Sequence, residues 1–506
     1  MIFASDMGVS DCEGVERRFY VAAWTHEATM IWGSRAFQDL RAASWRALRA
    51  ALLATAGLAA TGVGTSQAET VNGALIKAYL TNPEINSQRA AVRATDEGVP
   101  QANAGYLPKV SAFGNIAVSH QNGSQVIPGE GIINYSVHAF PRAYGVQAQE
   151  TVFDGYQTIN RIRGAESQVM GAREQLRNTE QNTLLSGVTA YMDVLLDTAI
   201  LDLDNNNVQV LQEQLRETRD RFTVGEVTRT DVAQAEASLA SGQATAISAV
   251  ATLQAAVATY RQVIGDQPTS LAPVKPIARP LPKTLPEAIT ISQVEHPAIT
   301  ALLDGVDAAQ LQIKIAEGAL YPQASITASA SNNYDVNITP GQKAFQAELM
   351  GQITIPIYQG GAEYATVRQS KESLTVEELR ADSARDQIRQ NVVASWGRNV
   401  AQVGVVRAAR AAVAANEVAL TGVREEAKVG QRTTLDVLNA QQALLQARTT
   451  LVTAEHDQVV ISYQLLSSIG RLNIPTLGLA VAEYDPRVHF DQVKNKWIGL
   501  RTPSGQ

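Results

Sequence analysis

Two short stretches hold the residue types best placed to do chemistry, and they repeat each other. One contains Val224, Gly225, Thr228, Thr230 and Asp231; the other contains Val429, Gly430, Arg432, Thr433, Asp436 and Asn439. A glycine in the left-handed conformation ends a helix, and a threonine or the residue just after it starts the next. An aspartate in that first turn favours the positive end of the helix dipole. This local duty accounts for Asp231 and Asp436 taken singly. Elsewhere the chain has no phosphate-binding glycine loop, no nucleophile elbow and no His-Glu-x-x-His zinc motif. The six histidines are scattered. His120 and His138 flank an expected outer loop, where solvated loop residues are a plainer reading than a metal pair. The expectation is a protein that is not an enzyme and that holds no cofactor or metal.

Charge narrows the partners. Among 506 residues, 42 Lys and Arg face 49 Asp and Glu, a formal net charge of -7 with no basic block. Affinity resting on neutralised phosphates is excluded, so no nucleic acid is expected. With 18% charged residues and a mean hydropathy of -0.09, the chain is too polar for a bundle of apolar membrane helices and not charged enough for disorder. Arg41, Arg46 and Arg49 precede an uncharged, Ala- and Leu-rich stretch that ends at Ser66, Gln67 and Ala68. This pattern reads as a signal peptide for export, with residues 1–68 removed and Met30 as an alternative start. The one cysteine, Cys12, lies in that segment, so the exported chain has no disulfide and no Cys-based metal site. Residues 241–260 are uncharged, but their Ala, Thr, Ser and Gln suit close helix packing, and no transmembrane helix is expected.

Proline placement organises the remainder. None occurs between Pro141 and Pro268 or between Pro356 and Pro475. Because proline breaks helices, these gaps, dense in Ala, Gln, Leu, Arg and Glu, should be mainly helical. They align at a constant offset of 205: Gly155 with Gly360, Val208 with Val413, Val224 and Gly225 with Val429 and Gly430, Asp231 with Asp436. Upstream the offset is 214, as in Pro83 with Pro297 and Pro108 with Pro322, so one insertion, expected as a surface loop, lies between Pro108 and Phe153. The chain is an internal duplication. The expected units are a first repeat over 69–265, a Pro-rich linker over 266–287, a second repeat over 288–470 and a tail over 471–506.

In each repeat a helix can run from just after Gly155 or Gly360 to just before Gly225 or Gly430, a rod of roughly 100 Å. Val194, Leu201, Val208, Leu215 and Phe222, and likewise Val406, Val413 and Leu420, recur every seven positions, the spacing of a coiled-coil seam. Return helices near 230–265 and 435–470 cover about half of each rod. Second helices from Glu84 or Ala298 to the Pro108 or Pro322 region could complete it. Between the helices, four segments alternate apolar and polar residues, for example Ala324, Ile326, Ala328 and Ala330 against Ser325, Thr327, Ser329 and Ser331. These are strands of a half-buried soluble sheet or of a membrane barrel, for which ~9 to 11 residues span the bilayer. Export, and the aromatics Phe153, Tyr156, Tyr321 and Tyr358 at the strand ends nearest the helices, favour the barrel. Four strands cannot close one, so the chain must then oligomerise.

Residues 70–500 resemble the TolC family of bacterial outer-membrane channel proteins, in the branch of type I secretion and drug efflux. The resemblance rests on the duplication, on Pro356-Ile357-Tyr358-Gln359-Gly360-Gly361, on residues 429–440 with their counterpart 224–235, and on the tail from Tyr484-Asp485-Pro486 to Trp497. It implies a mainly α fold with membrane β: long coiled-coil helical hairpins forming a periplasmic tunnel, and four strands per protomer in a 12-stranded β-barrel shared by a homotrimer. It implies an exit duct in the outer membrane for efflux or type I secretion, partnered by a periplasmic adaptor protein, an inner-membrane ABC or proton-driven transporter and outer-membrane lipid. It also implies that Asp436 forms the constricting ring, that Arg432, Thr230 and Asp231 hold the entrance shut, and that Val224, Gly225, Val429 and Gly430 dock the adaptor. Asn439 departs from the second ring carboxylate often found there, and Ala427 from a latching tyrosine, so the ring should be less acidic and the closed state more reliant on Arg432. The alternative is an exported coiled-coil oligomer, structural or adhesive, that conducts nothing.

Overall fold

In the computed structural model, residues 68–277, 279–336, 340–503 and 505 are described. The expected export signal, with Cys12 and Met30, lies outside them. Two helices dominate: α4 over Gln157–Thr223 and α8 over Ala362–Lys428, each of 67 residues, or about 100 Å at 1.5 Å per residue. Each starts at a glycine corner, Gly155 (φ 68) or Gly360 and Gly361 (φ 75 and 85). At Gly155 a side chain would also collide with the Gly318 carbonyl. Each rod folds back on a return helix, α5 over Arg229–Ile264 or α9 over Thr434–Ser468.

Shorter helices complete the packing. The first repeat opens with α1 (Val71–Thr81), α2 (Pro83–Asp96) and α3 (Gly98–Asn103); the second with α6 (Leu285–Glu295) and α7 (Pro297–Gly318). The upstream helix expected in one piece is therefore unbroken only in the second repeat, where α7 lies against both α4 and α8. In the first it divides at Glu97, before Gly98. Two short helices, α10 (Ile474–Leu477) and α11 (Arg487–Val493), punctuate the tail.

The main core lies where α1, α2, α4, α5 and α9 meet, around the buried Leu75, Tyr79, Ile85, Leu184, Tyr191 and Leu466. It anchors the segment that leaves the first return helix. The Tyr191 hydroxyl lies 2.6 Å from the Glu69 carbonyl and 2.8 Å from that of Ala272, and Lys77 pairs with both Glu69 and Asp266 at 2.9 Å. The tail packs on α1–α3 through Tyr484 N to Tyr79 Oη (2.9 Å), His489 to Asp96 (2.8 Å) and Asn103 to the Lys494 carbonyl (3.1 Å). By length and composition α4 contains a stretch apolar enough to cross a membrane, mean hydropathy 1.5. No such helix is expected from the sequence, and the buried Leu184, Val188 and Val194 of α4 belong to this core.

Among the described residues six strands form where four are expected. β1 (Lys109–Ile116), β4 (Arg142–Phe153), β5 (Gln323–Tyr334) and β6 (Lys343–Thr354) make an antiparallel sheet in the order β1-β4-β5-β6. β2 (Ser119–Ile127) and β3 (Gly131–Ala139) pair separately. The expected surface loop is thus a ribbon. It keeps the register of the sheet: Ile116 faces Arg142, Ser119 faces Ala139, and the Ala117 amide reaches the Pro141 carbonyl at 2.8 Å. Pro141 has no N–H to return, which explains the break between the two ladders. Cross-strand pairs sort the sheet into two faces. Ala328 faces Ala148 and Leu349 on one side, and Ser329 faces Gln147 and Glu348 on the other. The apolar face is bare, with Val110 73%, Leu349 77% and Ile353 72% exposed.

Candidate functional site

The helix tips are built twice by the same local chemistry. At the first, Gly225 (φ 79) lets its amide bond the Phe222 carbonyl (3.0 Å) and that of Glu226 the Arg221 carbonyl (2.9 Å); at the second, Gly430 (φ 78) does so to Ala427 (3.2 Å), and Gln431 to Glu426 (2.9 Å). This satisfies carbonyls that the end of a helix leaves open. Three residues on, the Thr228 amide and hydroxyl donate to Asp231 Oδ2 at 2.8 and 2.7 Å, and the Asp231 amide returns to Thr228 Oγ1 at 3.4 Å. Thr433 and Asp436 repeat the box at 2.9, 2.8 and 3.2 Å. The hydroxyl and amide of Thr228 hold the Asp231 carboxyl below its usual range, and the amide and hydroxyl of Thr433 do the same for Asp436. Both aspartates are therefore anionic caps within one chain.

The other expected site residues are brought to the tips but not to one another. Arg432 is exposed in the second turn, and its Nε donates to Glu426 Oε2 of the same tip at 2.8 Å. Thr230 is exposed at the start of α5, and Asn439 is exposed on α9, facing a groove shared with Ser238 and Gly242 of α5. Within one chain Arg432 has Glu426, not Thr230 or Asp231, as its bonded partner. Glu426 is the residue that sequence reasoning missed; it lies six positions before Arg432, on the last turn of α8. Val224 and Val429 stand out at the two tips, 71% and 72% exposed. Ala427 is buried with Leu420, Val437 and Leu444, so its position has a packing duty.

Polar rungs tie the two hairpins together along the seam between α4 and α9. Gln181 Nε2 donates to the Ser467 carbonyl (2.9 Å), His456 Nε2 meets Asp193 (2.9 Å) and Gln441 Nε2 reaches Asn207 (3.5 Å). The rung nearest the tips is the longest of the three. His456 Nδ1 also lies 3.0 Å from Asp457. Burial opposes its charge, but the bonds to Asp193 and Asp457 outweigh burial and raise its pKa. Below the last rung a groove of about 260 Å³ opens, lined by Glu213, Glu217, Arg221, Arg424 and Lys428. Near the tips α4 and α9 are thus linked by few and partly solvated polar contacts, while each hairpin keeps its own packing, as Leu420, Ala427 and Val437 do in the second.

At the opposite end the sheet carries an aromatic row that sequence reasoning also missed. Tyr144 and Tyr334 stack at 6.1 Å with hydroxyls 3.3 Å apart, while Phe345 and Phe140 are 69% and 57% exposed nearby. His120 and His138 face each other across the β2–β3 ribbon with ring centroids 4.0 Å apart.

Comparison with known proteins agrees with this architecture. The chain is 43% identical over 458 residues to the outer membrane efflux protein BepC of Brucella suis, covering 90% of this chain and 98% of that one. It is 27% identical to the outer membrane protein TolC of Escherichia coli, over 82% and 85% of the two chains. Among solved structures, the CmeC outer membrane channel of Campylobacter jejuni matches with a TM-score of 0.70 at 14% identity, covering 84% of this chain and 89% of that one. The profile of the outer membrane efflux protein family matches residues 75–266 and 289–471. The chain belongs to the outer membrane efflux protein family.

Proposed function

We propose that this chain is one protomer of a homotrimeric outer-membrane channel-tunnel, gated at its periplasmic end, which forms the exit duct of a tripartite efflux pump, a type I protein secretion system, or both. The observation that carries this reading is the four-stranded sheet. Its apolar face is exposed, its polar face lies opposite, and β1 and β6 each have an edge that no described strand covers. Open edges in lipid leave backbone groups unpaired at several kcal/mol each, so the sheet calls for copies of itself. Three copies give twelve strands, enough for an open lumen. The rods of about 100 Å then prolong that lumen toward the cell interior.

In this assembly Asp436 and Asp231 recur three times around the narrow end, and Arg432, freed from Glu426, can reach a neighbouring protomer's Thr230 or Asp231. The exposed valines Val224 and Val429, with Gly225 and Gly430, offer paired apolar knobs for an adaptor protein that an inner-membrane transporter engages. The test is extraction of the processed chain from outer membranes, chemical cross-linking, and ion conductance in planar bilayers. Trimers that conduct support the reading. Trimers that never conduct would support a structural coiled coil instead, and a single water-soluble copy without affinity for lipid would overturn both.

A further inference from the structure

We propose that the outer rim of the sheet binds the phosphate of an outer-leaflet glycolipid through Arg142 and Lys343. The inference rests on the membrane placement of the sheet's apolar face. Arg142 on β4 and Lys343 on β6 both pair with Tyr334 on β5 between them, so all three side chains stand on that face. The Arg142 guanidinium lies 4.9 Å from the Tyr334 ring centroid and the Lys343 ammonium 5.6 Å. Two strand spacings put the cations ~10 Å apart, within reach of one phosphate for side chains this long. Among the described residues neither cation has a carboxylate partner. Asp335, next to Tyr334, accepts the Gly341 amide at 2.7 Å, and Glu348 on β6 stands on the polar face, opposite Ser329. Glu150 lies toward the other end of β4, and Glu130 at the tip of the ribbon.

Height along the sheet agrees with a headgroup plane. β4 runs 12 residues from Arg142 to Phe153, and at ~3.3 Å per residue and a tilt of ~40° this is about 28 Å normal to the bilayer. Phe153 and Tyr156, in edge contact at 5.2 Å, mark the helix-side interface. The cations then sit where hydrocarbon ends at the far side, just above Tyr144 and Phe345. Exposed cations at this height on an otherwise apolar face are matched by anions, and arginine pairs with phosphate bidentately. The partner is a phosphate-bearing lipid because the row opens sideways, onto the face that meets lipid, and not into the lumen.

The test uses the full processed chain in detergent micelles containing bisphosphorylated lipid A or lipid A stripped of its phosphates, with bound lipid counted by native mass spectrometry. The parent should retain the bisphosphorylated form about thirtyfold better, the weight of two basic residues at an anionic surface. R142Q/K343Q should abolish the preference, R142K/K343R should restore most of it, and K343Q alone should cut it about fivefold. Equal retention of the two lipids by the parent, or an undiminished preference in the Gln variants, would overturn the assignment. Displacement by millimolar inorganic phosphate would overturn the lipid as ligand. Insertion of the parent into pure phosphatidylcholine bilayers, measured in parallel, tests the membrane reading itself. Failure there removes both ideas, whereas insertion without lipid A preference removes only this one.

Discussion

Asp436 has one duty inside the chain, in the capping box with Thr433, and the proposed trimer would give it a second; two substitutions separate them. Thr433→Ala removes the N-cap hydroxyl, which lies 3.2 Å from the Asp436 amide and 2.8 Å from its carboxylate, but leaves the charge. Asp436→Asn removes the charge and keeps an acceptor for the Thr433 amide. Loss of a threonine N-cap costs about 1 kcal/mol, so the first turn of α9 should open about fivefold more often. Hydrogen exchange read by mass spectrometry on peptides spanning 430–440 reports that opening. Thr433→Ala should show the faster exchange while block of the conducting trimer by multivalent cations added from the periplasmic side is kept. Asp436→Asn should relieve the block with a smaller change in exchange. The reasoning fails if Thr433→Ala relieves the block as completely as Asp436→Asn, since the carboxylate would then act only through the shape of the turn. It fails equally if neither variant alters block, since Asp436 would then lie off the constriction.

Arg432→Ser should raise single-channel conductance, as should Asp231→Ala, whereas Glu426→Gln should not, because it frees Arg432 for the neighbouring protomer; unchanged conductance in the first two refutes the latch. The raised pKa of His456 means that its link to Asp193 is fully present below about pH 6.5 and fades as pH rises through the raised value. Exchange in the middle of α9 should accordingly quicken beyond its intrinsic rate as pH rises above about 6.5, and His456→Gln should remove this extra dependence. Leu349→Arg, mid-strand on the apolar face, should cost about 2–4 kcal/mol of insertion, while Ser329→Arg on the polar face should be tolerated. Membrane fractionation of the two variants compares them, and equal insertion would mean that the faces are wrongly assigned.

The long helices were legible because proline is excluded from their interiors and glycine marks their ends: α4 and α8 begin and stop within two residues of Gly155, Gly225, Gly361 and Gly430. The heptad line was legible where packing is dense. Val194, Leu215, Val406 and Leu420 are buried, but Phe222, next to the tip, is 44% exposed. The ribbon was hidden because Ser119–Ile127 is polar on both faces over most of its length, which leaves no alternation to read. Its strand character comes instead from continuing a neighbour's register. The rungs Gln181, Asp193 and Asn207 were equally invisible, since apolar periodicity is silent about polar contacts between separate hairpins. At the tips, spacing pointed to the capping boxes of Asp231 and Asp436. The Glu426 partner of Arg432 was missed because it depends on how the turn brings the last helical residues back toward it.

Among the described residues, the ribbon beyond Pro141 occurs in one repeat only. In the other, only eight residues separate Tyr334 at the end of β5 from Lys343 at the start of β6. A threefold assembly would therefore present a crown of three tall tongues alternating with three low saddles. In the proposed assembly, whatever approaches the mouth from the strand end meets the tongues first. In that assembly the first repeat could vary its ribbon without disturbing the wall that the second would help to close.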